Sequence, residues 1–313
     1  MTDLLYLSRA DVERLLDREA LSAALERALI ELSAGRASAP PRVAAAAPAG
    51  IVSAMAGHVP GPGLGVKLVS VFPRNHGRGL PTHQGLIALF EEETGTPFSV
   101  MDGLHITALR TGATAALAAL VLARAGARIL TILGAGVQGA SHLDAVARIR
   151  DFSEIRVASR DPQKALRLAG RHPLGLVATS FEEAVRGADV VCCCTHSAVP
   201  IIDRGWLAPG AHVSSVGSGA ELDASTVAGG RVFVEWRGAV TSPPPAGAQE
   251  LQGLDPALVT EVGEVLAGTR PGRTSEDELT VYKSTGHAVE DLAAARLVHD
   301  RAVAEGIGVR LHL

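Results

Sequence analysis

Residues 128–150 read RILTILGAGVQGASHLDAVARIR, and this stretch decides the fold. Arg128 to Leu133 is a short, nearly continuous apolar run, as expected of a central strand in a parallel sheet that is covered on both faces. Gly134, Gly136 and Gly139 follow at GxGxxG spacing and lead into the helical pattern SHLDAVARIR. With 34 glycines in 313 residues the spacing alone is weak, and the strand before it and helix after it supply the weight. Gly134 permits a tight turn, Gly136 lets the backbone approach a pyrophosphate, and Gly139 lets the helix pack close to the strand. The N–H groups of Val137, Gln138 and Gly139 open that helix and present its positive dipole end to an anion. The turn predicts a bound nicotinamide dinucleotide.

Downstream, strands and helices alternate. EIRVASR (154–160) is followed by a helix from Pro162 to Gly170, then GLVATS (175–180) and the helix FEEAVRGA (181–188). DVVCCCT (189–195), AHVSSVG (211–217) and RVFVEW (231–236) are further strands. The pattern is that of βαβ units in a doubly wound parallel α/β sheet. Upstream the texture differs: helical patterns over Ser8 to Ala34 precede strand-like runs at 63–72, 83–92 and 97–103, and Leu104 to Ala125 reads as a long apolar helix. A last helix, Ala288 to Ala304, comes too late for the sheet's crossovers and is expected to rejoin the first domain.

The second strand of the sheet bears on cofactor choice. An acid at its end would bond the ribose 2′-hydroxyl of NAD. Here Ser159 and Arg160 stand there and suit a 2′-phosphate, while Asp161, just before Pro162, reads as a helix cap. NADP(H) is favoured and NAD(H) remains possible; the alternative for Arg160 is a solvated surface charge.

Composition excludes several classes. A net charge of −4 and a pI near 6.3, without runs of Lys or Arg, argue against a nucleic-acid surface. Apolar stretches such as Ala113 to Ala123 are bounded by Arg110 and Arg124, short of the ~20 residues of a membrane span. The opening MTDLLYLSRADVERLL reads as a strand running into a helix, not as a signal peptide. The only cysteines, Cys192, Cys193 and Cys194, are consecutive, with neither disulfide nor zinc spacing. They read as small apolar residues of a buried strand, so no metal and a cytoplasmic location are expected.

Three cations sit in apolar or turn-like surroundings: Arg42 in APPRVAAA, Lys67 in GLGVKLVSVF and Arg110 in ITALRTGATAA. Read alone, Lys67 is an exposed-face strand residue. If the three converge, they suit an α-amino or α-imino acid: Arg holds a carboxylate, and a Lys of lowered pKa exchanges a proton with the nitrogen.

The run from Lys67 through Ala115, the turn LGAGVQG, ADVVCCCTHSAVPII (188–202), EVGEVLAGTRPGR (261–273) and LTVYKSTGHAVEDLAAA (279–295) together resemble the ornithine cyclodeaminase/mu-crystallin family. The resemblance covers nearly the whole chain in order. It implies a homodimer in which residues 1–112 plus 288–313 form a smaller α+β substrate-binding and dimerisation domain, with a Rossmann domain, 113–287, inserted. It also implies that Arg42, Lys67 and Arg110 handle the substrate carboxylate and proton. Thr82, His83 and Gln84 would line the same pocket, and Thr195, His196 and Ser197 would lie near the nicotinamide. His83 could instead cap a strand, and His196 could be a loop histidine.

Two departures from the family pattern bear on chemistry. Ser53 stands where cyclodeaminating members carry an acid, and the loop Val213 to Asp223 lacks the Pro-Asp whose aspartate serves as acid/base. Glu221 or Asp223 could substitute, or both could be helix-start acids. The expected function is that of an NAD(P)H-dependent oxidoreductase acting on C=N or CH–NH of small imino or amino acids. The alternatives are a weakly catalytic NADPH- and ligand-binding protein of mu-crystallin type and, last, an ornithine cyclodeaminase.

Overall fold

The structure, a computed structural model, describes residues 3–195, 197–217 and 219–312, and at His76 the backbone only. His196 therefore lies outside the described residues. The chain divides into two compact units, Met1–Arg110 with His287–Leu313, and Thr111–Gly286.

The first unit is built on a seven-stranded sheet. Its strands are β1 (Asp3–Leu7), β2 (Val43–Ala47), β3 (Gly50–Val59), β4 (Gly63–Val71), β5 (His83–Phe90), β6 (Pro97–Asp102) and the C-terminal Val309–His312, numbered β15. The order is β15-β1-β6-β5-β4-β3-β2, antiparallel throughout except where β1 meets β6. The hairpin β2–β3 escapes the sequence reading because its alanines carry little strand propensity. The helical stretch after Ser8 is two helices, Arg9–Leu15 and Arg18–Ser33, broken where Asp17 caps the second by accepting from the Ala20 N–H. The last helix, Ala288–Glu305, packs on the helix Arg18–Ser33 and across β3, β4 and β5. Gly65 makes that approach possible: a Cβ there would stand 2.5 Å from Leu292 Cδ2 and 2.7 Å from the Ala88 carbonyl.

The second unit holds β7 (Ile129–Leu133), β8 (Glu154–Ala158), β9 (Gly175–Val177), β10 (Val190–Cys193), β11 (His212–Val216), β12 (Arg231–Val234), β13 (Thr260–Glu261) and β14 (Thr280–Ser284). All are parallel, in the order β13-β12-β14-β11-β10-β7-β8-β9. From β7 the chain winds to β8 and β9 on one side and to β10 and β11 on the other. The strand order therefore reverses between β7 and β10, the place where such sheets bind dinucleotides. β14, unread as a strand in the sequence, enters between β11 and β12.

The three thiols are buried, and burial pushes Cys192 up to about 12, so they serve as core residues and not as nucleophiles. The helix Gly103–Leu122 is, by length and composition, able to cross a membrane, contrary to the expectation that Arg110 cuts such stretches short. It is mostly buried within the protein and carries Arg110 in buried ion pairs, as a core helix does.

Candidate active site

In the first unit, β4 sets Lys67 between Met55 of β3 and Ile87 of β5. Strand alternation turns Met55, Lys67 and Ile87 to the face covered by the helix Ala288–Glu305, and all three are buried. Lys67 is thus no exposed-face residue. Its Nζ lies 2.7 Å from Asp291 Oδ2 and donates to Thr107 Oγ1 at 3.4 Å. Thr107 passes its own proton to the Gly103 carbonyl at 2.7 Å, which leaves an oxygen lone pair for the ammonium. Arg110 donates through Nε to Asp291 Oδ1 at 3.1 Å and through a terminal nitrogen to Glu290 Oε2.

Glu290 and Asp291 fall in the first turn of their helix, where the macrodipole favours negative charge, and Glu290 also accepts from the His287 N–H at 3.2 Å. Both are fully buried. Burial alone would raise the Asp291 carboxyl, but Arg110 and Lys67 together hold it below its ordinary value. Burial lowers Lys67 to about 8; Asp291 pulls the other way, while Arg110 and Arg42 reinforce the decrease. Burial, aided by Arg42, drops His287 to about 4 and keeps it neutral. Arg42, half-buried ahead of β2, therefore belongs to the same electrostatic group.

The other expected pocket residues distribute less evenly. His83 opens β5 on the face of Lys67, but two same-face pairs along the strands, about 13 Å at strand rise. Its Nδ1 meets Thr82 Oγ1 at 3.2 Å. Gln84 is turned to the opposite, exposed face. Ser53 is buried on the Lys67 face, opposite Val69, and brings a neutral hydroxyl to that position. Asp291 and Glu290 were missed by sequence reasoning. The available signal was two adjacent acids within the otherwise apolar run AVEDLAAA.

In the second unit the glycine turn has the geometry its spacing demands. Gly134 adopts φ +101°, and a Cβ there would stand 2.7 Å from the Cys194 carbonyl and 3.0 Å from Thr195 Cγ2. A Cβ at Gly139 would strike the Gly134 carbonyl at 1.9 Å, whereas one at Gly136 would meet open space. The helix Val137–Val146 starts there with Ala140 as the first residue to donate back, to Gly136. The N–H groups of Val137, Gln138 and Gly139 thus have no acceptor within the helix. These residues fit a dinucleotide pyrophosphate. At the end of β8, Ser159 accepts from the Asp161 N–H at 3.3 Å, and Arg160 is exposed. Asp161 accepts from the N–H groups of Gln163 and Lys164 as the cap of the helix Pro162–Ala169.

Beyond β10, Thr195 donates its N–H (2.7 Å) and hydroxyl (2.5 Å) to Glu221 Oε1. Ser197 donates its N–H to Thr195 Oγ1 at 3.2 Å. Glu221 is fully buried and is not a helix-start acid; Asp223 takes the N-cap position of the helix Ala224–Gly229 and accepts from Ser225 and Thr226. Among the described residues no cluster of His, Cys, Asp or Glu could hold a metal ion.

The profile of the ornithine cyclodeaminase/mu-crystallin family matches residues 3–306. The ketimine reductase mu-crystallin of Mus musculus is 37% identical over 242 residues, 76% of this chain and 75% of that protein. The solved Δ1-pyrroline-2-carboxylate reductase of Thermococcus litoralis, in complex with NADH and L-proline, superposes with a TM-score of 0.92 at 32% identity, covering 98% of this chain and all of that one. An archaeal alanine dehydrogenase dimer with bound NAD superposes with a TM-score of 0.90 at 30% identity, both chains being covered in full. With the family profile spanning almost its entire length, this chain belongs to the ornithine cyclodeaminase/mu-crystallin family.

Proposed function

We propose that the protein is an NAD(P)H-dependent oxidoreductase that reduces the C=N bond of small imino acids, or oxidises the corresponding amino acids in reverse. The observation that carries this reading is the buried pairing of Lys67 and Arg110 with Asp291, with Arg42 in the same electrostatic group. A substrate carboxylate suits the two guanidinium groups, whose planar donor forks match it. Lys67, lowered to about 8, is poised to exchange a proton with the imine nitrogen near neutral pH. Asp291 supplies the counter-charge that a cation beside an iminium requires. When bound, the dinucleotide supplies the hydride. The relatives support the same chemistry, since they are named for a ketimine and for pyrroline-2-carboxylate. The neutral Ser53 on the Lys67 face speaks against cyclodeamination of a diamino acid.

The test is turnover of NADPH and NADH with a panel of five- and six-membered cyclic imino acids and with oxo acids plus ammonia or methylamine. Reduction of any of them supports the reading. Tight cofactor binding without turnover on the whole panel would replace it with a ligand-binding role.

For the cofactor we favour the 2′-phosphorylated form on Ser159 and the exposed Arg160, although the two solved relatives hold NADH or NAD. Arg160→Ala should weaken NADPH by about 10- to 100-fold, the range for one charge-assisted contact, and NADH by less than threefold. Equal losses for both would remove the 2′-phosphate argument.

We also propose a homodimer. Val43, Val52, Leu68 and Leu86 lie on the sheet face opposite Lys67 and are 68%, 46%, 38% and 40% exposed. Such an apolar face is suited to a second copy, as the archaeal relative's dimer suggests. Leu68→Glu should give a monomer in light scattering, and an unchanged dimer would place the interface elsewhere. The unpaired thiols suit the reducing cytoplasm that we propose as the compartment; a tagged protein found outside it in fractionated cells would displace that assignment.

A further inference from the structure

Beyond the turn and the proton site, the second unit buries a group of charges with no part in the chemistry above. Lys283 of β14 is fully buried and lies 2.9 Å from Glu250 Oε1; it also donates to Ser215 Oγ at 2.9 Å and to the Gly219 carbonyl at 3.3 Å. Ser215 of β11 turns its hydroxyl proton to Glu221 Oε2 at 2.8 Å. The Glu221 N–H is held by Glu250 Oε2 at 3.0 Å. The chain of donors ends on Thr195, which gives both its N–H and its hydroxyl proton to Glu221 Oε1.

That last bond has a chemical consequence. A hydroxyl offers one proton and two lone pairs. The proton of Thr195 is committed to Glu221, and one lone pair takes the Ser197 N–H. What Thr195 can present to a ligand is a single acceptor. Thr195 stands at the end of β10, beside β7 at the reversal of strand order, with its methyl 3.0 Å from where a Cβ on Gly134 would sit. It is therefore placed along the dinucleotide crevice on the β10 side, opposite the β8 end that carries Ser159 and Arg160.

We propose that Glu221 is a positioning residue: it fixes Thr195 as a pure hydrogen-bond acceptor for the carboxamide N–H of the nicotinamide, and Lys283, Ser215 and Glu250 hold Glu221 in place. The proposal rests on the reading of the chain as a nicotinamide-dependent enzyme, and it gives Glu221 a role other than that of a substitute acid/base. The Glu221 side-chain oxygens accept from Thr195 and Ser215, which sets the direction of both hydroxyl bonds.

The test compares binding, by calorimetry, of the oxidised nicotinamide dinucleotide and its 3-acetylpyridine analogue, in which a methyl group replaces the amide NH2. The wild-type protein should prefer the natural cofactor by about five- to tenfold, the worth of one hydrogen bond. Thr195→Val should abolish the preference. Glu221→Gln keeps an acceptor oxygen for Thr195 and should retain the preference within twofold. Glu221→Met has nearly the same volume, leaves Lys283 and Glu250 as a one-to-one pair, and frees the hydroxyl; its preference should fall toward that of Thr195→Val. A merely structural role would weaken both ligands equally and leave their ratio unchanged. The proposal is overturned if Thr195→Val discriminates as the wild type does, a comparison that stands even if Glu221→Met does not fold. Failure of the wild type to bind either dinucleotide would instead defeat the cofactor reading itself.

Discussion

Lys67→Met should reduce imine turnover by about 10²- to 10⁴-fold, the usual contribution of a positioned general acid, while cofactor affinity stays within twofold. The residues that fit the pyrophosphate are those of the turn Gly134–Gly139, which the substitution does not alter. The pH profile provides a sharper readout than the rate alone. With its ammonium lowered to about 8 by burial, Lys67 is protonated below that pH and can donate to the nitrogen. Reduction should therefore decline as pH rises through about 8, and the reverse oxidation, which needs a proton acceptor, should increase through the same range. Both limbs should vanish in Lys67→Met.

Stability provides an independent check. Because the folded pKa lies below the ordinary lysine value, the folded protein binds fewer protons than the unfolded chain between about 8 and 10.5. The Lys67 contribution to stability accordingly rises with pH across that window, and denaturant midpoints of Lys67→Met should lack this rise. A variant that keeps the alkaline limb in turnover would assign the proton to another group.

Much of this architecture is written locally in the chain. A buried strand, three spaced glycines and an amphipathic helix are consecutive residues, so β7, its turn and the helix Val137–Val146 can be read by eye, as can the alternation that follows. Two kinds of feature are not local. β14 carries a lysine in the middle of a buried strand and enters the sheet between β11 and β12, and neither its hydropathy nor its place in the sequence announces that. The hairpin β2–β3 is hidden by alanines, whose strand character comes from the pairing of β2 with β3 and of β3 with β4 and not from their own propensity.

The candidate site divides in the same way. Arg42, Lys67 and Arg110 stand out as cations in apolar company, but what makes them a site is Asp291, 224 positions beyond Lys67, and Glu290, 180 beyond Arg110. Sequence patterns rank residues by their near neighbours, whereas a buried charge is stabilised by whichever opposite charge the fold brings to it. Glu221 illustrates the converse. Its sequence position beside a helix start suggests a dipole partner, yet Thr195 at the end of β10 and Ser215 of β11 both donate to its carboxylate, and it is buried.

Asp291→Asn should lower turnover by at least 10²-fold, and the reason separates it from a simple loss of packing. Asp291 receives Lys67 on one oxygen and Arg110 on the other, with none of the three more than about 4% exposed. Removing its charge strips Lys67 and Arg110 of the carboxylate they share, Arg110 keeping Glu290, and breaking a buried pair in this way typically costs about 3–5 kcal/mol. Lys67 has an escape that Arg110 lacks: it can lose its proton. Asp291 pulls the Lys67 pKa up against burial, Arg110 and Arg42, so in Asp291→Asn the alkaline limb of reduction should move well below 8. At neutral pH the lysine would then be neutral, unable to act as acid, and part of the stability loss would be recovered by its deprotonation. The two substitutions should consequently be non-additive. Lys67→Met combined with Asp291→Asn should be more stable than Asp291→Asn alone near pH 6, where the single variant still confronts an ammonium with no carboxylate, and should be no more active than either. Additive losses of stability near pH 6 would mean that Lys67 and Asp291 do not share a charge balance, and an unshifted pH limb in Asp291→Asn would dismiss Asp291 as the residue that tunes the proton donor.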